Sequence, residues 1–421
     1  MSDKPVFALV DCNNFFVSCE RVFAPHLENK AVVVLSNNDG CAISRSNEAK
    51  VLGIKMGEPF FKFKPLYDQK KVEVFSSNFI LYSNMSWRVM ESLRSLCPSV
   101  EVYSVDEAFL GLELLNINDY AAFARETKQK LQQWTGIPVS IGIASTKTLA
   151  KIANRLAKKS GGVYNLVNNP DLENILSEFQ IEDIWGIGRK LAPKLRLFAI
   201  GSAKDLRDSD PSFIRKNFSV VVERIVYELR GVSCLPLTYV RDDKKSITYS
   251  RTFGNPITDL VELEEALSDY VSNACIKLRK QNSRALSISI FLSTNYHNLK
   301  SPRYSNSIVY TLPVPSSDTK DIIHYSKRCL YQIYKPGYQY NKLGIILLDL
   351  QSANIVQQHL FIKPNYIRSD KLMETLDSIN NLMGKNTIFI AAQGTERAWT
   401  TQSQKCSPAF TTNINELPIV K

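Results

Sequence analysis

The sequence predicts an α+β multidomain protein, and three observations carry that expectation. Short apolar runs alternate with helical periodicity through about residue 170, residues 171–235 are helical throughout, and residues 247–350 follow a β-α-β-β-α-β order. A chain of 421 residues is also too long for one ordinary core, so roughly two to four domains are expected.

In the first stretch, Val6–Val10 is an apolar run ending at Asp11, and Ala31–Leu35 is another. Val100–Leu112 sets apolar residues around an acidic pair, and Ile137–Ile143 is strand-like. Asp119–Trp134 and Lys147–Lys159 carry apolar residues at helical spacing. Residues 15–80, rich in Asn, Ser and Gly, read as an insertion with only brief regular elements. In the helical stretch, Ile184-Trp-Gly-Ile-Gly-Arg-Lys190 separates two helical segments, the second running through Ala199. Positions 236–246 are polar and aperiodic, as in a linker. Beyond them, strands are expected at Ser246–Phe253, Leu286–Leu292, Ile308–Leu312 and Leu343–Leu350, with helices at Leu260–Lys280 and Asp318–Tyr334. Residues 351–421 are mixed in composition and poorly periodic.

A formal net charge of +11 points to a polyanionic partner, with nucleic acid first and an anionic membrane surface second. A merely basic soluble protein has the same balance. No stretch is apolar for the ~20 residues of a membrane span, and the N-terminal residues lack a signal-peptide core. Eight cysteines without a Cys-x-x-Cys pair, and four unpaired histidines, argue against a disulfide scaffold or a zinc site. A cytoplasmic, nucleoid-associated protein is expected.

Asp11 is delivered at a strand end, while Asp106 and Glu107 sit in Tyr103-Ser-Val-Asp-Glu-Ala-Phe-Leu110. Adjacent strand residues point to opposite faces, so both acids serve one site only where a turn or bulge redirects one of them. Three carboxylates at sheet ends suit two Mg²⁺ ions, which take hard oxygen ligands and leave positions for phosphate. Capping of a turn by Asp106 and Glu107 is the alternative.

Lys147, Lys151, Arg155, Lys158 and Lys159 form a run without an intervening acid, and at helical spacing Lys147, Lys151, Arg155 and Lys158 or Lys159 lie along one stripe. Such a stripe suits a triphosphate or a DNA backbone; a solvated helix face has the same pattern. Gly186 and Gly188, followed by Arg189 and Lys190, have the form of a helix-hairpin-helix. Its glycines let backbone N–H groups approach a phosphate, unless the segment is an ordinary interhelical turn.

Asp11-Cys-Asn-Asn-Phe-Phe-Val-Ser-Cys-Glu20, Tyr103-Ser-Val-Asp-Glu-Ala-Phe109 and Gly142-Ile-Ala-Ser-Thr-Lys-Thr-Leu-Ala-Lys-Ile-Ala-Asn154 resemble, in order, three motifs of the Y-family translesion DNA polymerases. Ser36-Asn-Asn-Asp-Gly-Cys41, Glu48-Ala-Lys50, Phe75-Ser-Ser-Asn78 and Asp183-Ile-Trp-Gly-Ile-Gly188 are similar to the UmuC branch of that family. The resemblance spans essentially the whole chain. Where other branches carry Asn-Tyr-Glu-Ala-Arg, this chain has Ser46-Asn-Glu-Ala-Lys50, a departure that UmuC-type sequences share. Lysine meets phosphate as a point charge, without the bidentate fork of arginine.

The resemblance implies a right-hand polymerase: palm 1–14 and 81–170, small fingers 15–80, helical thumb with helix-hairpin-helix 171–235, and linker 236–246. A ferredoxin-like βαββαβ little finger would occupy 247–350 and a partner-binding region 351–421. The implied activity is error-prone, template-directed DNA synthesis past damaged bases in the SOS response, with a non-catalytic DNA-binding scaffold on the same fold as the alternative. Asp11, Asp106, Glu107 and the Cys12 carbonyl would hold two Mg²⁺ ions, and Lys50 and Lys158 the triphosphate. Phe16 falls at the steric-gate position, although packing beside Phe15 also explains it. Cys41 and Ile43 would cover the nascent base pair, leaving room for a distorted template base. Gly186, Gly188, Arg189 and Lys190 would meet DNA phosphate. Gln357-Gln-His-Leu-Phe361 resembles a sliding-clamp-binding pentapeptide through Gln357, Leu360 and Phe361, a pattern that an ordinary loop also produces. The implied partners are primer-template DNA, dNTPs, a UmuD-type accessory dimer, RecA and the sliding clamp, with no membrane.

Overall fold

The computed structural model describes residues 5–115, 117–240, 242–298, 301–355, 366–397 and 399–417. They form two compact units, the first made of 1–36, 41–241 and 405–421, the second of 37–40 and 242–404. No helix among the described residues is long and apolar enough to cross a membrane.

The first unit opens with β1 (Phe7–Cys12) and α1 (Phe15–Phe23), then β2 (Val32–Leu35), β3 (Ala42–Arg45), α2 (Asn47–Val51), α3 (Phe60–Asp68) and β4 (Glu73–Ser76). Next come α4 (Phe79–Leu96), β5 (Val100–Val102), β6 (Glu107–Gly111), α5 (Tyr120–Thr135), β7 (Val139–Ala144), α6 (Lys147–Ala157) and β8 (Val163–Asn165). Five short helices follow, α7 (Leu172–Glu178), α8 (Ala192–Arg196), α9 (Ala203–Asp208), α10 (Pro211–Asn217) and α11 (Val220–Leu229).

The main sheet runs β5-β6-β1-β7-β8, and β1 pairs antiparallel with both neighbours. Every residue of β1 is buried, because both faces of the sheet are covered. Ala8, Val10 and Cys12 enter a core with Tyr82, Met85 and Val89 of α4, whereas Phe7 and Leu9 face Leu149, Ile152 and Ala153 of α6. That two-residue alternation fixes the direction of everything at the strand's end. Gly142 in β7 allows α6 to close on the sheet, since a Cβ there would lie 2.0 Å from the Asn154 nitrogen.

A separate three-stranded sheet, β3-β2-β4, carries residues between α1 and α4. The helix expected through Ala199 stops at Arg196, where the chain turns and Ala199 adopts a positive φ of 61°.

The second unit contains β9 (Ile247–Ile257), α12 (Leu260–Lys280), β10 (Ser283–Thr294), β11 (Ser305–Ser316), α13 (Thr319–Ile333), β12 (Tyr340–Ser352) and α14 (Tyr366–Met383). Its antiparallel sheet has the order β11-β10-β12-β9, so each βαβ arm is split by a strand of the other. The stretch 351–421, taken from sequence as one aperiodic region, is divided: α14 stays with the second unit, and residues from 405 return to the first.

Candidate active site

Asp11 is the fifth of the six residues of β1, and its direction comes from that strand. Odd-numbered residues of that strand face α6, so Asp11 follows Phe7 and Leu9 onto that side at the strand's C-terminal end. In β6, Glu107 is the direct register partner of Asp11 and shares the parity of Phe109, which also lies in the α6-side core. The apolar stretch Val100–Leu112 around the acidic pair folds as a tight hairpin of β5 and β6, with Tyr103 and Ser104 N–H groups donating to the Glu107 carbonyl at 3.1 Å. Asp106 belongs to its turn. Its carbonyl accepts from Cys12 N–H at 2.8 Å, and its carboxylate accepts from the Ser104 hydroxyl at 2.5 Å. The turn therefore brings a third acid to the end of β1.

Cations from α6 stand against these acids. Lys158 Nζ donates to Asp11 at 2.8 Å, and Lys151 Nζ donates to both Glu107 oxygens at 3.0 and 2.8 Å. Lys151 also sits 4.5 Å from the Tyr103 ring centroid and 5.5 Å from that of Trp185. The acid-free basic stripe of the sequence is thus paired in space: Lys147 meets Glu101, and Arg155 meets Asp183. Lys147 is buried and takes no part in an exposed phosphate-binding face.

Among the described residues, no three Asp, Glu, His or Cys side chains form a group arranged to hold a metal ion. Lys158, Lys151 and Ser104 engage the three carboxylates separately. The donor set still fits a hard divalent cation in kind. Burial pushes the Asp11 carboxyl up to about 6, Lys158 opposes that rise, and Glu107 adds to it. Cys12 is raised by burial and then by the nearby charges of Asp11, Asp106 and Glu107, so one buried residue senses all three acids. Three acids thus lie close to one buried strand end.

A second group lies where β1 leads into α1. Asn14 takes a left-handed backbone conformation, φ 46° and ψ 45°, a strained choice for a non-glycine residue at the helix start. Its side-chain carbonyl accepts from Lys50 Nζ at 2.7 Å, and Asn47 accepts from the same ammonium at 3.1 Å. Burial, then the charges of Arg45 and Lys158, lower the Lys50 pKa. Arg45 and Lys158 therefore both lie near Lys50, although the sequence places the three on separate segments.

Phe16, in the first turn of α1, is half-buried and packs against the main core. Its ring stacks on Tyr82 with centroids 4.5 Å apart and an interplanar angle of 17°, and Phe79 meets it edge-on at 6.0 Å. The Ser44 hydroxyl ties β3 to α1 by donating to the Asn14 carbonyl at 3.3 Å. Ile43 packs against the main core beside this junction, and Cys41 N–H donates to the Ser36 hydroxyl at 3.1 Å.

The hairpin at Gly186 is built by burying Ile184 and Ile187 while Gly186, Gly188, Arg189 and Lys190 remain exposed. Gly186 has φ 91°, and a Cβ there would meet Ile225 at 2.9 Å. Trp185 Nε1–H donates to the Tyr103 hydroxyl at 3.1 Å, which links the hairpin to the acidic turn. Gln357, Leu360 and Phe361 lie outside the described residues.

Sequence reasoning passed over Arg45, Tyr103 and Trp185 as site residues. Arg45 has no signal of its own, because only β3 carries it toward Lys50. Trp185 lies inside the Asp183–Gly188 motif, where the sequence gives it no role of its own.

Residues 10–155 match the impB/mucB/samB family model, residues 244–360 match that family's C-terminal domain, and residues 370–420 match a domain of unknown function. The chain is 43% identical to protein UmuC of Salmonella typhimurium, covering 99% of this chain and 100% of that protein. Protein ImpB of Salmonella typhimurium is 41% identical with 99% and 100% coverage, and DNA polymerase IV of Oceanobacillus iheyensis is 26% identical with 90% of each chain covered. Among solved structures, a Y-family DNA polymerase chimera of Dbh and Dpo4 superposes with a TM-score of 0.66 at 22% identity, covering 82% of this chain and 99% of that one.

Proposed function

The chain belongs to the impB/mucB/samB family, in the UmuC branch of the Y-family DNA polymerases, and from that premise we propose that it copies damaged templates by nucleotidyl transfer assisted by two divalent cations. It is a DNA-directed DNA polymerase whose substrates are DNA and deoxynucleoside triphosphates. The observation that best supports the site is the register pairing of Asp11 with Glu107, with Lys158 on the first and Lys151 on the second.

In this reading Asp11, Asp106, Glu107 and the Cys12 carbonyl hold two Mg²⁺ ions, which when bound lower the pKa of the primer 3′-hydroxyl and brace the departing pyrophosphate. Lys158 exchanges Asp11 for a phosphate oxygen, and Lys50 leaves the neutral amides of Asn14 and Asn47 to do the same. The Phe16 ring, backed by Tyr82, blocks a sugar 2′-hydroxyl. Cys41 and Ile43 cover the nascent base pair with side chains small enough to admit a distorted template base. Gly186, Gly188, Arg189 and Lys190 rest on duplex phosphates from an exposed hairpin. Error-prone synthesis in the SOS response, cytoplasmic and at the nucleoid, with a UmuD-type dimer, RecA and a sliding clamp reached through Gln357, Leu360 and Phe361, completes the proposal.

The test is primer extension past an abasic site with Mg²⁺ and dNTPs, with and without the accessory proteins. Asp106→Ala is expected to abolish extension and leave DNA binding nearly unchanged. Robust synthesis by that variant would remove the assigned metal site.

A further inference from the structure

Beneath Phe16 lies a buried carboxylate that the chemistry above does not use. Glu20, one turn along α1, is 1% exposed, and the two side-chain donors found on it are hydroxyls. Tyr82 Oη–H donates to Glu20 Oε1 at 2.6 Å, and Tyr82 is the residue whose ring stacks on Phe16. The second donor comes from the far end of the chain: the Ser407 hydroxyl donates to the same oxygen at 3.1 Å.

Ser407 is held there by a strap. The Ser76 N–H donates to the Lys405 carbonyl at 3.0 Å, and Lys405 N–H donates to the Ser76 hydroxyl at 2.9 Å. Asn78 Nδ2 donates to the Ser407 hydroxyl and carbonyl at 3.0 Å and to the Pro408 carbonyl at 3.2 Å. Phe410 stacks on Phe23 of α1, with centroids 4.8 Å apart and an interplanar angle of 10°. A carboxylate buried without a cation is costly unless its hydrogen bonds are made, so each hydroxyl on Glu20 matters more than it would in water. Loss of either one leaves Oε1 of a buried carboxylate with a single hydroxyl donor, a deficit relieved by moving α1 or Tyr82, and both carry the support of Phe16.

We infer that the segment around Ser407 is a positioning element for nucleotide-sugar selection, fixing the Phe16 ring through Glu20 and Tyr82. The inference rests on Phe16 acting as the sugar gate. Ser407 is a positioning residue that touches no substrate.

Sugar selectivity, the ratio of kcat/KM for a dNTP to that for the matching rNTP, is measured on the full chain under whatever accessory conditions support extension. Ser407→Ala is expected to lower the ratio roughly three- to tenfold, the range of one hydrogen bond. Most of that change comes from improved rNTP use, with dNTP kcat/KM within about twofold of wild type. Ser407→Thr keeps the hydroxyl and retains selectivity. Phe410→Ala, which loosens the strap without touching Glu20, lowers the ratio as Ser407→Ala does. In the Phe16→Ala background, Ser407→Ala has no further effect, because the supported ring is gone.

An unchanged ratio in Ser407→Ala beside a collapsed ratio in Phe16→Ala would overturn the positioning role and leave the gate standing. Equal losses of dNTP and rNTP efficiency in Ser407→Ala would mark a purely structural contact and overturn it as well. An unchanged ratio in Phe16→Ala would remove the gate and the inference with it.

Discussion

The Lys158 ammonium donates to the Asp11 carboxylate at 2.8 Å across 147 positions of sequence, yet the two partners stand in different surroundings. The Lys158 side chain is 44% exposed and that of Asp11 only 11%, so the cation keeps its water while the anion has lost most of it. The attraction is consequently too weak to offset the desolvation of Asp11, whose carboxyl stays raised at about 6.

That imbalance predicts a stability cost at neutral pH. The folded chain holds the Asp11 proton more tightly than an unfolded chain, whose carboxyl has the ordinary value of 3.8. The contribution to stability is full below about pH 4 and is lost as pH rises through about 6. Asp11→Asn is therefore expected to be more stable than wild type at pH 7.5, by up to about 3 kcal/mol, with the difference fading toward pH 4. Urea unfolding at the two pH values measures this. A variant less stable than wild type at pH 7.5 would show that the Lys158 pair outweighs burial.

Lys147 makes the opposite kind of pair. It is 3% exposed, meets the Glu101 carboxylate and donates to the Pro236 carbonyl at 2.8 Å, while Thr238 N–H donates to the same carboxylate at 2.8 Å. Lys147→Met strands a buried anion and is expected to cost about 3–5 kcal/mol. Adding Glu101→Leu should return most of it. Because Lys147 faces inward, the salt dependence of DNA binding by Lys147→Met should match wild type. A loss under about 1 kcal/mol in urea unfolding would contradict the buried pair.

These two lysines mark the limit of what the sequence discloses. Helical spacing shows that Lys147, Lys151, Arg155 and Lys158 share a stripe, but not that Glu101, Glu107, Asp183 and Asp11 arrive from four other segments to meet them. The strands around Asp11 and Glu107 were legible because apolar alternation reports burial directly. The turn at Asp106 was raised only as a condition for the two acids to share a site, since Tyr103-Ser-Val-Asp106 has no glycine or proline to announce it. Helix α14 escaped notice for a different reason. Of its side chains only Met373 is buried, and the helix is held by ion pairs of Arg279 with Asp377 at 2.7 Å and Arg284 with Asp370 at 2.7 Å. A helix fastened by charges from other elements leaves no apolar stripe to find.

Lys50 should report on substrate rather than on stability. Its ammonium has the side-chain amides of Asn14 and Asn47 as hydrogen-bond partners, and moving to a triphosphate exchanges neutral acceptors for charged ones. Lys50→Ala is expected to raise KM for dNTP roughly ten- to a hundredfold, the range of one charge-assisted hydrogen bond, with a smaller change in kcat. Single-nucleotide insertion kinetics decide it. A fall in kcat at constant KM would place Lys50 on the transition state instead.

Mg²⁺ itself supplies a test that needs no catalysis. Asp11 and Glu107 each hold a lysine ammonium, and Asp106 holds the Ser104 hydroxyl, so a divalent cation has to displace or outbid these partners. Binding to the folded chain alone raises stability by RT ln(1 + [L]/Kd), about 1.4 kcal/mol at a tenfold excess over Kd. Wild type should therefore gain stability as Mg²⁺ is titrated at constant ionic strength, and Asp106→Ala should gain little. Lys158→Ala removes a competing positive charge from Asp11 and is expected to respond to lower Mg²⁺ than wild type does. Equal responses in wild type and Asp106→Ala would mean that Mg²⁺ acts elsewhere on the chain. A weaker response in Lys158→Ala would mean that the ammonium supports the ion's site rather than competing for it.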